Sequence, residues 1–273
     1  MLAIINWSFP QTLIRPGRQA LAALVAGLIL AAAPLAGEVA APPEAFAHAA
    51  EKRFREAQAE VQKHPDDPEV AWKFARACFD WAEFATSKKE RADRGSRGVE
   101  VCRQLIATHP DLAPAYYYLG LNLGQLARTK TLGALPIVRD MEVAFLKAIS
   151  LDPGHDHAGA HRNLGLLYRD APGWPASIGN RSKARQHLER TIKLFPHYPG
   201  NRITYLETLL EWDEEETVKK AIPEVQKILD GARTSLTGPE WASSWAEWQA
   251  RWKKIQEQVG LTPKPIQEPT PPE

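Results

Sequence analysis

Apolar residues recur at helical spacing along the chain, in segments that stop at regularly placed prolines. The four prolines are Pro65, Pro110, Pro153 and Pro196, which lie 45, 43 and 43 residues apart. A helix ends before such a residue because proline lacks an N–H donor and its ring clashes with the preceding turn. A constant period of this size is typical of one helical unit that is copied and stacked. The pattern therefore predicts an internal repeat, and binding by a surface rather than catalysis in a pocket.

Each unit is predicted to form a helix, a turn and a second helix. The helices are expected over residues 114–127 and 141–153 in the second unit, and over residues 159–168 and 182–196 in the third. Gly120 and Gly165 occupy the same position in the two units, where the missing side chain lets the partner helix approach closely. A further proline at position 68, 114 or 199 is suited to the first turn of the next helix.

Two short segments resemble tetratricopeptide repeats: YLG at residues 118–120 and AISLDP at residues 148–153. The tetratricopeptide period is about 34 residues. Here the extra length falls between the two helices of a unit, in residues 128–140 and 170–181. With HRNLGLLY at 161–168, APGWP at 171–175 and YPGN at 198–201, the sequence is similar to the T-component (TatT) family of TRAP transporters, over roughly residues 60 to 230.

This resemblance implies an all-α fold, a right-handed superhelical solenoid of tetratricopeptide-like helix pairs. It also implies a periplasmic protein that binds the solute-binding protein of a tripartite transporter and assists transfer of a small, hydrophobic solute. Family members include lipoproteins and ring-like trimers, so a homo-oligomer is a further expectation. No cysteine follows the N-terminal apolar segment, and we therefore do not expect a lipoprotein.

The two ends of the chain differ from the repeats. Arg15 and Arg18 precede an uncharged apolar run over residues 20–36, which predicts a signal peptide over residues 1–37 and export to the periplasm. The run is shorter than the roughly 20 residues that span a bilayer; membrane association is expected only if this segment is retained. Residues 38–49 are predicted as a linker, 50–260 as the repeat domain, and 261–273 as a disordered, proline-rich tail.

Charge and cysteine content limit the partners. The chain has 34 basic and 33 acidic residues, and the densest basic stretch, residues 88–94, has acids interleaved, so we expect a solvated helix face and no nucleic acid. The acidic residues 213–216 are typical of a helix start. Cys78 and Cys102, the only cysteines, lie in the two helices of the first complete repeat. Export permits a disulfide between them; two buried free thiols are the alternative.

Four tryptophans lie on one face of the last predicted helix. These are Trp241, Trp245, Trp248 and Trp252, at spacings of four, three and four residues. Because the end of a solenoid needs a cap, we expect the stripe to pack on the last repeat. The alternative is an exposed interface for an oligomer or a partner, since tryptophan is a favoured anchor at such interfaces.

Residues of types that can ligate a metal cluster at the start of the third unit: His155, Asp156, His157 and His161. Zinc sites usually need three or four ligands with supporting contacts. His161 takes the aromatic position that Tyr116 holds one unit earlier, which favours packing over metal binding. No nucleophile elbow, P-loop or dinucleotide-binding motif occurs. We therefore expect a non-catalytic protein without a cofactor, with a metal-dependent enzyme at this cluster as a rival hypothesis.

The remaining candidates are surface residues. In tetratricopeptide arrays the first helix of each unit lines the concave face. Alignment on Leu-Gly places six residues there as binding candidates: Tyr117, Leu121, Gln125, Arg162, Leu166 and Arg169. The alternative is that these six are ordinary solvated residues of a groove, without a role in binding. The rival function for the whole protein is a general envelope scaffold that binds other proteins and is unrelated to transport.

Overall fold

The computed structural model describes residues 44–130 and 133–267. The described residues form ten α-helices and a 3-10 turn at Pro239–Trp241, without a β-strand. The helices are α1 (Glu44–Lys63), α2 (Pro68–Ala82), α3 (Lys88–Thr108), α4 (Ala113–Thr129), α5 (Ala134–Leu151), α6 (His155–Asp170), α7 (Arg181–Leu194), α8 (Pro199–Glu211), α9 (Glu215–Ala232) and α10 (Ala242–Gln258). The predicted signal peptide, residues 1–37, lies outside the described residues. The all-helical prediction is confirmed for this part of the chain.

The helix ends follow the proline pattern. Each repeat proline lies two residues beyond the end of α1, α3, α5 or α7, and a proline occupies the first turn of α2, α4 and α8. Side chains cap several starts: the Asp67 carboxylate accepts from two backbone N–H groups of α2, and Asn180 accepts from Lys183 in α7. As expected, the acidic stretch opens a helix, since α9 begins at Glu215.

Each helix from α1 to α8 packs on the next helix, and α2, α4, α6 and α8 also contact one another in that order. The predicted close approach at two glycines is confirmed. A Cβ atom built on Gly120 would lie 2.5 Å from the Phe145 ring in α5, and one on Gly165 would lie 2.7 Å from Leu188 in α7. This packing of consecutive helices is compatible with a helical repeat.

Two predicted boundaries are wrong. The linker over residues 38–49 is helical from Glu44, because α1 buries Phe54 against Phe74 and Trp81, with ring centroids 5.3 and 4.5 Å apart. Most of the insertion at 128–140 extends α5, whose added turns bury Val138. The insertion at 170–181 is instead a loop over residues 171–180, and it exposes 89% of Trp174.

The C-terminal part forms its own hydrophobic core from α8, α9, α10 and Ile266. Residues 261–267 have no regular secondary structure, and they are attached to the C-terminal core rather than disordered; the rest of the predicted tail, residues 268–273, lies outside the described residues. The backbone N–H of Ile266 donates to Gln249 over 2.9 Å, and the Gln256 side chain bonds both backbone groups of Lys264. The last helix α10 packs on α8, and residues at its start border a small cavity with α1 and α2.

The two cysteines are buried and are not joined by a disulfide. Burial raises the pKa of the Cys78 thiol to about 12. In the charged stretch at 88–94, Lys88, Lys89 and Asp93 are exposed, whereas the Arg94 guanidinium stacks 3.9 Å from the centre of the Trp81 ring. Among the described residues, no helix is long and apolar enough to cross a membrane.

Candidate functional site

The six predicted groove residues are not solvated. Three of them, Tyr117, Leu121 and Gln125, lie on α4 and are fully buried. The other three, Arg162, Leu166 and Arg169, lie on α6, and their side chains are at most 10% exposed. The positions on α4 and Arg162 are covered by residues of neighbouring helices, whereas Leu166 and Arg169 line a cavity described below. Their part in binding stays a prediction.

Tyr117 and Arg162 meet at one partly buried carboxylate, that of Asp156. The Tyr117 hydroxyl donates to Oδ2 of Asp156 over 2.6 Å, and Nη2 of Arg162 lies 3.5 Å from the same oxygen. Arg162 also donates to Oδ1 of Asn201 in α8, over 2.8 Å. Burial first, and then the neighbouring Asp156 charge, raise the pKa of Tyr117 well above its ordinary value. This network joins α4, α6 and α8.

The backbone around Asp156 is unusual. Asp156, His157 and Ala158 have φ angles of 50°, 56° and 61°, in the left-handed region that L-residues rarely adopt. Gly159 follows, and a Cβ there would run into the Tyr117 hydroxyl and ring. The turn places the Asp156 carboxylate within hydrogen-bonding distance of Tyr117. It also stacks His157 on Tyr198, with ring centroids 4.1 Å apart.

Gln125 belongs to a separate polar group between α2, α3 and α4. Its amide accepts from Nη1 of Arg91 over 2.6 Å and donates to the Glu83 carboxylate. Arg128 completes the group with an ion pair to Glu83 over 3.0 Å. These contacts hold three helices together, and they leave Gln125 no free surface for a partner.

Leu166 and Arg169 line the cavity that we consider the strongest candidate for a binding site. This α6/α8/α10 cavity has a volume of about 370 Å³ and lies between the three helices. Its lining residues are Leu166, Arg169, Glu207, Leu210, Glu211, Glu247, Arg251, Lys254, Ile255 and Gln258. Exposed residues such as Lys254 and Gln258 form its rim, so the cavity is open to solvent. Pockets of this size are typical of small-molecule sites.

The two arginines of the α6/α8/α10 cavity are each held by carboxylates. Nη2 of Arg251 lies 2.5 Å from Glu207 and its Nη1 lies 2.9 Å from Glu247. Nε of Arg169 lies 2.5 Å from Asp170 and 3.2 Å from Glu211. Burial raises the pKa of Glu247 and of Glu211 in spite of these arginines. The walls thus present fixed charges of both signs in a partly desolvated space.

The tryptophan stripe faces the inside of the molecule. Trp245, Trp248 and Trp252 are 6%, 2% and 0% exposed, in the core shared with α8 and α9. Two of the indole N–H groups are bonded, to the Leu236 carbonyl and to the Gln226 side chain, each over 2.8 Å. Trp241 is partly buried beside Tyr198 and Trp248. Three of the four are therefore unavailable to a partner in this conformation.

The residues of the rival metal hypothesis make separate contacts. His155 packs against Tyr117 and Trp72, and His157 stacks on Tyr198. The Nδ1 atom of His161 lies 2.8 Å from Nδ1 of His187 in α7, as one ring donates to the other. Burial is the main cause that lowers the pKa of His161 to about 4, and the neighbouring His187 is the second cause. Within residues 44–130 and 133–267, no three His, Cys, Asp or Glu side chains are arranged to hold a metal ion.

Comparison with protein-family models and with curated proteins finds no match to this chain.

Sequence reasoning missed the acidic half of the cavity, Glu207 and Glu247, together with Arg251. One signal was present. Glu247 and Arg251 are four residues apart on the last helix, beside the tryptophan face, and an i,i+4 ion pair is favoured at this spacing. The contact of this pair with α8 depends on where α10 folds back, which local spacing does not encode.

Proposed function

We propose that this protein is a non-catalytic, exported helical-repeat protein that binds the solute-binding protein of a TRAP-type transporter and assists transfer of a small solute. The observation that carries the proposal is the half-open α6/α8/α10 cavity, which offers a small-molecule site on an otherwise scaffold-like fold. The tetratricopeptide-like segments, the TatT-like motifs and the N-terminal export pattern support it from the sequence.

In this proposal the helices form a right-handed solenoid that α10 caps. The contacts between successive even-numbered helices support the solenoid, since a stacked array brings equivalent helices side by side. The burial of Trp252 and Trp248 against α8 and α9 supports the cap. The cap also forms one wall of the cavity, so it contributes to the site as well as to stability.

A binding role fits the chemistry of the cavity better than catalysis does. Its arginines are paired with carboxylates, which satisfies both partners and leaves the charges fixed in position. A catalytic acid or base needs a proton it can exchange with a substrate at close range. The pairs instead suit recognition of complementary charges on a bound molecule.

The test is capture of partners by the whole chain. The protein, expressed with its N-terminal segment and a tag after Glu273, is purified from the envelope, and co-purified proteins and small molecules are identified by mass spectrometry. We expect a solute-binding protein in the captured material, and native mass spectrometry of the same sample reports whether the chain is a trimer. Recovery of only unrelated envelope proteins would reject the transporter role.

The second candidate is a general envelope scaffold unrelated to transport. The exposed Trp174 on a loop fixed by backbone hydrogen bonds favours it, because a rigid exposed indole is a suitable anchor for another protein. Trp174→Ala distinguishes the two: loss of the captured proteins on this substitution favours the scaffold, since Trp174 is not part of the cavity.

A further inference from the structure

The hydrogen-bonding capacity that stays free in the α6/α8/α10 cavity belongs to carboxylates rather than to arginines. We propose that this cavity binds a small organic cation, in which a primary ammonium is carried on an apolar body. The inference rests on the proposed function, because it names the class of solute held there. It adds a positive charge to the small, hydrophobic solute that the sequence leads us to expect.

The guanidinium groups of the cavity are occupied by the protein itself. Nε and Nη2 of Arg251 donate to Glu207 over 2.8 and 2.5 Å, and its Nη1 donates to Glu247 over 2.9 Å. Nε and Nη2 of Arg169 donate to Asp170 over 2.5 and 3.0 Å, and its Nη1 donates to a hydroxyl of α8 over 3.1 Å. An anionic ligand would have to displace a carboxylate of the protein to form the paired hydrogen bonds that arginine favours. The cavity is therefore poorly suited to anions.

Two carboxylates that line the cavity each keep an oxygen free. Glu247 on α10 accepts from Arg251 at Oε1, and Glu211 on α8 is paired with Arg169 at Oε2. In the described part of the chain, no donor forms a hydrogen bond to Oε2 of Glu247 or to Oε1 of Glu211. Their side chains are 26% and 55% exposed, so a ligand can reach them. A primary ammonium has three N–H donors and no acceptor, which matches a site with spare acceptors.

The charges at the cavity leave a negative excess. The charged lining residues, together with the Asp170 partner of Arg169, are three cations and four carboxylates: Arg169, Arg251 and Lys254 against Asp170, Glu207, Glu211 and Glu247. Farther out, the charge of Glu83 acts on Glu247, but Glu83 is itself paired with Arg128. Burial raises the pKa of Glu211 and of Glu247 in spite of the guanidinium beside each. A bound cation would supply the missing positive charge, whereas an anion would add to the excess.

The apolar part of the wall selects an organic cation. Leu166 and Ile255 are buried, and Leu210 is half-buried beside them. Together they form a surface without hydrogen-bonding groups between the charged ones. A hydrated metal ion would leave this surface uncovered, whereas a branched aliphatic chain would bury it. The cavity of about 370 Å³ leaves room for a ligand of this kind.

The experiment uses three probes that share the 3-methylbutyl group and differ in the group at its end. The probes are 3-methylbutylamine, a cation, 3-methylbutanol, which is neutral, and 4-methylpentanoate, an anion. Binding of each to the full-length protein is measured by isothermal titration calorimetry at pH 7. We expect the amine to bind at least about ten-fold more tightly than the other two. Equal binding of all three, tighter binding of the alcohol or the anion, or no binding of the amine would overturn the inference.

A charge change at the rim provides a second measurement that does not touch the core. Lys254 is exposed and lines the cavity, so Lys254→Gln removes a positive charge that repels the ligand. We expect the amine to bind about three-fold more tightly to this variant. The matched control is Lys253→Gln, which removes the same charge from the next residue, outside the cavity lining; it should leave the affinity unchanged. No gain at Lys254, or the same gain at both positions, would contradict the assignment of the site.

The carboxylate partner is tested by Glu211→Gln. The side chain is 55% exposed and the amide has the same shape, so we expect the variant to fold. The affinity for the amine should fall about ten-fold, while that for the alcohol should not change. Glu224→Gln, at an exposed position on α9 outside the cavity, is the control and should change neither affinity. An unchanged ratio of the two affinities in Glu211→Gln would overturn the role of this carboxylate.

These measurements are independent of the protein partner. Capture of a solute-binding protein without binding of the amine would keep the proposed function and reject the cation site. Binding of the amine without any captured transporter component would keep the cation site and reject the transporter role.

Discussion

At the scale of single residues, the turn that starts α6 is the most constrained place in the described chain. Three consecutive non-glycine residues hold left-handed angles there. Such residues cost roughly 1 kcal/mol or more each, so the surrounding contacts must hold them in place. The bond from Tyr117 to Asp156 and the stacking of His157 on Tyr198 are the contacts that do so.

Tyr117→Phe tests this arrangement by removing only one hydroxyl. The change removes the hydrogen bond from Tyr117 to the Asp156 carboxylate and leaves only the ion pair with Arg162, and we expect the free energy of unfolding to fall by about 1 to 3 kcal/mol. The measurement is urea denaturation followed by circular dichroism. The matched control is Tyr116→Phe, at a half-buried neighbouring position, which should change stability by less than about 0.5 kcal/mol. Equal effects of the two substitutions would contradict the role of Asp156.

His161 makes stability depend on pH. Its pKa is lowered from 6.5 to about 4 in the folded protein, mainly by burial. Between these values the unfolded chain binds a proton that the folded chain does not. The contribution of His161 to the stability of the folded state is therefore fully present above about pH 6.5 and is lost as the pH falls towards 4.

The substitution His161→Gln tests this pH dependence through the difference in stability between the variant and the wild type. We expect the stability advantage of the wild type to shrink by about 2 kcal/mol between pH 7 and pH 4.5, measured by urea denaturation at each pH. The difference isolates His161 from carboxyls such as Asp80, whose pKa is raised to about 6 by burial and acts in the opposite direction. His197→Gln, at an exposed position, is the control. An advantage that stays constant with pH would rule out this linkage.

At the scale of elements, close helix pairing depends on two glycines in the middle of α4 and α6. A Cβ atom at Gly120 would meet the Phe145 ring, and one at Gly165 would meet Leu188 and the Ala184 carbonyl. By contrast, a Cβ atom at Gly231 in α9 would have no atom within 4 Å. Replacing glycine by alanine should therefore lower stability at Gly120 and Gly165 and raise it at Gly231.

We expect Gly120→Ala and Gly165→Ala each to lower the unfolding free energy by about 1 to 3 kcal/mol, since the partner helix must move away. Gly231→Ala should raise it by about 0.5 to 1 kcal/mol, because alanine favours helix and restricts the unfolded chain. Thermal denaturation of the three variants compares them directly. A stabilising effect at Gly120 would show that α4 and α5 are not in contact there.

At the scale of the whole molecule, the described chain has two main cores. One involves helices from α2 to α7, and the other involves α8, α9, α10 and Ile266. Trp212, at the end of α8, packs against both. The C-terminal core therefore depends on the tryptophans of α10, and the central core depends on them much less.

Trp252→Ala tests this division. Removal of a fully buried indole should destabilise the C-terminal core by about 3 to 5 kcal/mol. In hydrogen-exchange mass spectrometry we expect protection to be lost over α8 to α10 and retained over α3 to α5. Trp174→Ala, at the exposed loop position, should change neither region. Uniform loss of protection along the chain would show that the two cores unfold as one unit.

The sequence predicts the helices and their ends well, because these depend on local signals. The proline pattern locates the ends of α1, α3, α5 and α7, and the glycines locate the contacts of α4 with α5 and of α6 with α7. The burial of Tyr117 and Gln125 was not predictable from repeat alignment. It depends on the left-handed turn before α6 and on polar contacts between different helices.

The candidate site was predicted only in part. Leu166 and Arg169 were selected, because the repeat alignment predicts them on the concave face, and both line the cavity. Their partners on α8 and α10 lie outside the motifs, and a cavity is defined by the space between elements rather than by any one of them. The expected disorder is wrong for residues 261–267 for a similar reason: Ile266 is buried only once α9 and α10 are together.

The cavity is built from helices far apart in the chain, from Leu166 on α6 to Gln258 at the end of α10. During synthesis, this site does not exist until nearly all of the described chain has emerged and the last helix has folded back onto α8. A nascent or C-terminally clipped chain would thus carry the array of helices without the pocket. Loss of the last helix by proteolysis would remove one wall of the cavity while leaving the core of α2 to α7 in place.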